Sequence, residues 1–205
     1  PIILGASNIV NNIVYEKIFP HDSFIGYSNK QLVNGDIIIQ QNEDVKQSTI
    51  YCSSEYLTEK LIFTIIDDES QIMVERKGRT VYFSGIHKGE PIQFKQNIDS
   101  DLWYQDMQYS FKSFLKSDQS SISFWQFVPE KFKLEKFTLT KDKTEFIKLS
   151  DEEIFTYRLK LTPNSFQSYF IQHQVWFDVD SGTIVLNKRK HIKVSENDKP
   201  VVATH

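Results

Sequence analysis

The sequence is poor in the residues that mark several protein classes. It contains one cysteine, Cys52, so no internal disulfide can form, and no Cys/His spacing suits zinc. Seven glycines and six prolines in 205 residues exclude a collagen-like or linker-dominated chain. No apolar run approaches the ~18 residues that a membrane-spanning helix requires. We therefore expect no transmembrane segment and no metal centre of the zinc type.

Positive charge is not in surplus either. The formal net charge is −3 and the pI is near 6.0, which excludes a general nucleic-acid binder because neutralising phosphates requires a basic surface. Glycine-rich phosphate loops, the G-x-S-x-G nucleophile turn and the dinucleotide fingerprint are absent. The sequence therefore predicts no cofactor, and it identifies no enzyme class by motif.

Aromatic residues are plentiful. They make up 14% of the chain, with sixteen Phe and nine Tyr, a composition that favours strands with bulky inward side chains. Asn34-Gly35 separates two strand-like runs and predicts a tight hairpin turn. Further short apolar runs follow at roughly ten-residue spacing, which is typical of an antiparallel meander. Alternation is clearest around residues 155–162, where one face is apolar and the other polar.

One segment departs from the strand pattern. Trp103, Met107, Phe111 and Phe114 recur at helical spacing, which predicts a helix over about residues 101–116. We therefore predict a mainly β protein: a curled antiparallel sheet or open barrel with one principal helix. The expected organisation is an N-terminal arm at residues 1–21, a single β-rich domain at 22–194 and a C-terminal tail at 195–205.

The stretch HQVWFDVDSGTIVLNKRKHIKV, residues 173–194, is the richest in chemical groups. Asp178–Gly182 begins like a calcium loop, but its glycine comes one place too early and no bidentate glutamate follows at the required distance. The same residues suit a turn between two long strands, because Asp and Ser bond their own backbone and glycine permits a positive φ. We predict the turn and no metal site.

The basic residues of this stretch admit two interpretations. Strict alternation places Lys188 and Lys190 on the face of Ile184 and Leu186, so two lysines interrupt an apolar stripe. They can be the inward-pointing charges that protect an edge strand from pairing with another sheet. Alternatively they form a cationic rim at the mouth of an apolar cavity, where an anionic head group would dock.

Large aromatic residues and one histidine complete the candidate site. Trp125, Tyr157, Tyr169 and Trp176 are either core residues or the walls of a ligand pocket. His173 lies between Ile171 and Val175 on the predicted inward face, where it is either a buried neutral histidine or a general base.

The late strand–turn–strand pattern VWFDVDSGTIVLNKRK and the order of elements carry a resemblance. The chain resembles uncharacterised bacterial envelope proteins whose curled antiparallel sheet is similar to the periplasmic lipoprotein carriers and receptors. The resemblance covers residues 22–194 by order of elements and 175–190 by residue pattern. It implies export to the periplasm and a cavity of acyl-chain size. The chain departs from that pattern because it shows no signal segment or lipidation cysteine; since it begins with Pro1, we expect a preceding segment and leave the compartment open.

Three functional hypotheses follow. The first is a non-enzymatic binding module for an apolar or acyl-chain ligand in a sheet-lined cavity, with Lys188 and Lys190 contacting its anionic group. The second is a hydrolase that uses His173 and a nearby carboxylate. The third is a structural or protein-interaction domain with a filled core. Neither the ligand nor the oligomeric state follows from the sequence.

Overall fold

A computed structural model describes residues 12–14, 26–33, 36–43, 45–149, 152–164 and 171–191. Within these ranges the chain forms two antiparallel sheets, which confirms the predicted mainly β fold. The first sheet contains β1 Asn12–Val14, β2 Gly26–Val33, β3 Asp36–Glu43, β4 Lys46–Cys52, β5 Thr58–Ile65, β6 Ser70–Lys77, β7 Thr80–His87 and β8 Glu90–Asn97. The second contains β9 Ser121–Val128, β10 Lys133–Leu149, β11 Glu152–Pro163, β12 Ile171–Asp178 and β13 Ile184–His191.

Both sheets are meanders in which each strand pairs with the next along the chain. Val33 pairs with Asp36, so the strands that flank Asn34-Gly35 form the predicted hairpin. The described strands do not close into one barrel. The division into arm, single domain and tail stays a prediction, since most of the arm and all of the tail lie outside the described residues.

The helical segment is shorter than its apolar spacing predicts. It consists of α1 Met107–Ser110 and α2 Lys112–Lys116, separated by Phe111. Asp106 is the N-cap of α1, since its Oδ2 accepts a hydrogen bond from the Tyr109 amide at 2.7 Å. The residues before it pair with β9 instead of forming a helix. The Trp125 amide donates to the Leu102 carbonyl at 2.7 Å, and the Tyr104 amide donates to the Trp125 carbonyl at 3.0 Å.

The interior between the sheets is filled by aliphatic and aromatic side chains. One apolar cluster joins the inner face of the first sheet to Trp103, Phe127 and Leu134. A second cluster packs Phe111, Phe114 and Leu115 of the helical segment against the inner face of the second sheet. Trp103, Phe111 and Phe127 are buried at 0–2% exposure. Burial of this kind is the main source of the fold's stability.

Two glutamine side chains connect backbone edges near the junction of the sheets. The Gln96 side chain donates a hydrogen bond from Nε2 to the Leu134 carbonyl and accepts one at Oε1 from the Leu134 backbone amide, both at 2.9 Å. Gln105 accepts from the Phe127 amide at 2.9 Å and donates to the Phe127 carbonyl at 3.4 Å. Because Leu134 and Phe127 are buried, these bonds satisfy peptide groups that water cannot reach. The two glutamines therefore tie the β9–β10 hairpin to the preceding part of the chain.

Candidate functional site

An open cleft of about 550 Å³ lies beside the helical segment and the loop between β4 and β5. Its volume falls within the ~300–1,000 Å³ that is usual for small-molecule sites. We call it the tyrosine cleft. The cleft is lined by Ser54, Glu55, Tyr56, Tyr104, Tyr109, Ser110, Lys112, Ser113, Phe114, Ser117, Gln119 and Ile122.

The β4–β5 loop holds Tyr56 in an unusual backbone conformation. The Ser53 amide donates to the Leu57 carbonyl at 2.9 Å, and the Tyr56 amide donates to the Ser53 carbonyl at 3.0 Å. This tight turn places Tyr56 at φ 61°, in the left-handed region that residues with a Cβ rarely adopt. Such conformations cost free energy and concentrate at binding and active sites. In this protein the strained residue forms part of the cleft wall.

A lysine from the inner face of the first sheet supports this wall. Lys30 pairs with Ile39, which pairs with Ile50, so it continues a row of fully buried residues. Its Nζ donates to Tyr56 Oη at 3.1 Å and lies 4.6 Å from the centre of the Tyr109 ring. The Tyr56 and Tyr109 rings stack with centroids 6.1 Å apart. Hydrogen bonding and cation–π attraction therefore satisfy the ammonium group among aromatic side chains.

The remaining lining combines apolar surface with charge. Phe114 and Tyr104 are almost fully buried, whereas Ile122 is half-buried. Burial, followed by the nearby Glu55 carboxylate, raises the pKa of Tyr104, so its phenol stays neutral at physiological pH. Glu55 and Lys112 are both exposed. The cleft thus offers an apolar floor with one carboxylate and one ammonium among its lining side chains.

The turn between β12 and β13 packs behind Lys112. The Gly182 amide donates to the Asp178 carbonyl at 2.9 Å, and Asp178 Oδ1 accepts from the Ser181 amide, as the predicted turn requires. Gly182 has a φ of +73°, and a Cβ there would lie 3.0 Å from Lys112 Cγ. Glycine is therefore needed both for the backbone angle and for the close approach.

Trp125 and Trp176, two of the predicted pocket residues, are held by carboxylates. The half-buried Trp125 donates from Nε1 to Asp99 Oδ1 at 3.0 Å. Trp176 is 5% exposed and donates to Glu145 Oε1 at 2.9 Å. Hydrogen bonds from Lys136 and then Trp125 lower the pKa of Asp99. Each indole therefore belongs to its own local polar network.

The described structure does not bring the predicted aromatic walls to one pocket. Trp125 pairs with Lys136 and Tyr157 with Thr144, which places them roughly 25 Å apart along β10 at about 3.3 Å per residue. Tyr157 packs against the inner cluster, whereas Trp176 lies on the opposite face of the sheet. Tyr169 lies outside the described residues, so its role stays a prediction.

The last strand departs from strict alternation at Val185. Ile184 pairs with Phe177 and Leu186 with Trp176, so an irregularity in register puts Ile184 and Leu186 on opposite faces. The backbones of Lys188 and Lys190 pair with Gln174 and Gln172, respectively. The side chains of both lysines lie outside the described part of the structure, and their contact with a ligand stays a prediction.

Two histidines bear on the hydrolase hypothesis. His173 is half-buried on β12, where it pairs with Leu161, and its catalytic role stays a prediction. A separate serine–histidine contact joins Ser70 Oγ to His87 Nδ1 at 3.2 Å. Ser70 is fully buried, however, and its Oγ also accepts from the Lys88 amide at 2.9 Å. That hydroxyl connects two turns and is not presented to a substrate.

Other clefts lie among the described residues. One of about 720 Å³ at the end of the first sheet is lined mainly by charged side chains, and one of about 160 Å³ lies near Gln41 and Gln105. Among the described residues, no three His, Cys, Asp or Glu side chains gather as metal ligands would. In the same part of the chain, no helix has the length and apolarity needed to cross a membrane.

Sequence reasoning did not identify the tyrosine cleft. Tyr56, Tyr104 and Tyr109 lie in a loop and in the segment predicted as helix, and none belongs to a recognisable motif. The cation that contacts two of them comes from Lys30, which is far away along the chain. The available signal was the concentration of tyrosine and serine around residues 104–117.

Comparisons with known proteins show the fold alone. No protein-family model matches the chain, and a search of curated protein sequences finds no match. A solved structure, described as a beta-barrel-like protein of domain of unknown function DUF1849 from Brucella abortus, is similar with a TM-score of 0.50 and 7% sequence identity. The similarity covers 81% of this chain and 76% of that one. It supports a curled-sheet fold that occurs in bacteria.

Proposed function

We propose that this protein is a non-enzymatic binding module that holds an amphiphilic, lipid-like molecule in the tyrosine cleft. The observation that supports this proposal is the cleft, which provides about 550 Å³ of open space beside Tyr104, Phe114 and Ile122. An acyl chain against this floor gains about 0.8 kcal/mol for each methylene that leaves water. The two backbone hydrogen bonds of the β4–β5 turn hold Tyr56 as a pre-formed wall, which reduces the entropy lost on binding.

The cleft supports this function better than the space between the sheets. Trp103, Phe111 and Phe127 fill that space, so an acyl chain there would have to displace fully buried aromatic rings. A lipid-like ligand also agrees with the resemblance to periplasmic lipoprotein carriers. On the same basis we propose an exported bacterial protein.

Native mass spectrometry of the protein purified from its own host, followed by organic extraction, tests the proposal. We expect a co-purified amphiphile. Ser113→Trp should abolish its retention, because Ser113 is exposed and lines the cleft that the indole would fill. Ser121→Trp on the exposed start of β9 is the matched control and should retain it. A clean apo mass, together with no binding of added decanoate or decanol, would overturn the proposal.

The filled interior favours a second candidate function, a structural or protein-interaction domain. The exposed pair Phe146 and Phe155, with ring centroids 4.8 Å apart on the β10–β11 hairpin, is the surface that such a domain would use. Retention of an amphiphile by wild type and by Phe146→Ser alike would favour the binding module.

A further inference from the structure

The contact between Lys30 and Tyr56 determines how the phenol can act in the cleft. Because Lys30 Nζ donates to Tyr56 Oη at 3.1 Å, the phenol oxygen serves as an acceptor on that side. The O–H hydrogen is then directed away from the ammonium. The neighbouring positive charge also polarises this O–H bond and makes it a stronger donor. Tyr56 is a lining residue of the cleft, which makes this charge-assisted hydroxyl a candidate donor to an acceptor bound there.

A second cation lies on the same cleft. The exposed Lys112 is among the lining residues, and its stem packs close to the turn at Gly182. Glu55 is the carboxylate among the lining residues and opposes an anion. Behind the wall, Lys30 adds a second ammonium group and Asp106, which accepts from the Tyr109 amide, adds a second carboxylate. The preference for an anion therefore comes from the donors Tyr56 Oη and Lys112 Nζ and not from a surplus of positive charge.

We infer that the tyrosine cleft selects anionic amphiphiles, with a carboxylate or phosphate accepting hydrogen bonds from Tyr56 and Lys112 while the chain lies on Tyr104, Phe114 and Ile122. This inference rests on the proposed function and specifies the head group of its ligand. A planar carboxylate and a tetrahedral phosphate present the same acceptor oxygens to these two donors.

The test uses probes that share a ten-carbon chain and differ in charge. Decanoate, decyl phosphate, decanol and decyltrimethylammonium are titrated into the full chain by isothermal calorimetry at neutral pH and low salt. The wild type should bind both anions about tenfold or more tightly than decanol, which is the usual strength of hydrogen bonds to a charged group. The cationic probe should bind most weakly. A difference between decanoate and decyl phosphate would identify the preferred head group.

Variants then assign the selectivity to the named groups. Tyr56→Phe keeps the ring and removes the donor. It should weaken the binding of decanoate about tenfold and leave the binding of decanol unchanged. Tyr82→Phe removes an exposed phenol of β7 that does not line the cleft and is the matched control. Lys30→Met should weaken decanoate binding as Tyr56→Phe does, and Lys30→Arg should keep part of the lost affinity. Glu55→Gln should strengthen the binding of decanoate. Circular dichroism checks that each variant is folded.

The outcomes separate the inference from the function on which it rests. If decanol and decanoate bind equally to the wild type and Ser113→Trp blocks both, the binding module stands and anion selectivity is wrong. If none of the four probes binds, the proposed function itself fails. If Tyr56→Phe binds decanoate as tightly as the wild type does, the assigned donor is wrong even when Lys30→Met fails to fold.

Discussion

The interior between the sheets and the tyrosine cleft both contain aromatic side chains, yet one is closed and the other is open. Trp103, Phe111 and Phe127 are buried at 0–2% exposure. In the cleft, Tyr56 and Tyr109 are half-buried and their rings border open volume. Aromatic content alone therefore does not distinguish a filled core from a binding wall.

The difference follows from where each side chain carries polar atoms. Phenylalanine has none, so its complete burial costs no hydrogen bond. Tyrosine carries a hydroxyl that must find a partner or remain near water, and it is common where one end of a site is apolar and the other wet. Lys30 provides that partner for Tyr56 at 3.1 Å. Tyr56 is therefore held at its polar end while its ring borders the open cleft.

The largest effect should come from emptying the interior. Phe127→Ala removes a ring that lies 5.9–6.2 Å from those of Phe63, Phe83 and Phe132. We expect the free energy of unfolding to fall by about 3–5 kcal/mol, measured by urea denaturation. Phe146→Ala, which truncates a 63% exposed ring, is the control and should change stability far less. Equal losses would contradict the contrast between filled and open aromatic regions.

Cysteine reactivity distinguishes the closed interior from the open cleft. Burial raises the pKa of Cys52 to about 12, so its reactive thiolate is scarce at neutral pH. A cysteine introduced at exposed Ser113, in a Cys52→Ala background, should react with iodoacetamide on the order of a thousandfold faster than native Cys52. Mass spectrometry of timed samples measures both rates. Saturating decanoate should slow only the Ser113→Cys reaction, and similar rates for the two thiols would show that the interior is open.

Removing the hydrogen bonds between Gln96 and the β9–β10 hairpin should lower the unfolding free energy less than Phe127→Ala does. Gln96→Leu removes both 2.9 Å bonds to the buried Leu134 backbone. Leaving these peptide groups unsatisfied should cost about 1–3 kcal/mol of unfolding free energy. Gln93→Leu on the same strand exchanges an exposed glutamine and should have little effect. An unchanged midpoint for Gln96→Leu would show that the glutamine contacts do not contribute to the stability.

Local sequence pattern predicted the strands well because alternation and turn residues act over a few positions. It misplaced the start of the helix, since Trp103 continues the helical spacing while its neighbours pair with Trp125. The irregularity at Val185 likewise changed which face of the last strand its residues occupy, and no local pattern predicts it. Such long-range backbone pairing has no local signature.

The candidate site was harder to predict than the fold. It combines Lys30 of β2, Tyr56 of a loop and Tyr109 of α1, which only the tertiary structure brings together. The predicted residues Trp125, Tyr157 and Trp176 were chosen by residue type, and the structure distributes them over the second sheet. Residue type identifies aromatic surface, but the backbone decides where that surface borders open space.

Photolabelling with a decanoate analogue that carries a terminal diazirine tests most directly where a ligand binds. After irradiation and proteolysis, mass spectrometry should locate the label on peptides that contain Tyr104, Phe114 or Ile122, and excess decanoate should suppress it. Ser113→Trp should remove the label while Ser121→Trp keeps it. Specific labelling confined to residues 157–191, near Trp176 and Lys188, would contradict the tyrosine cleft and return the site to the last strands.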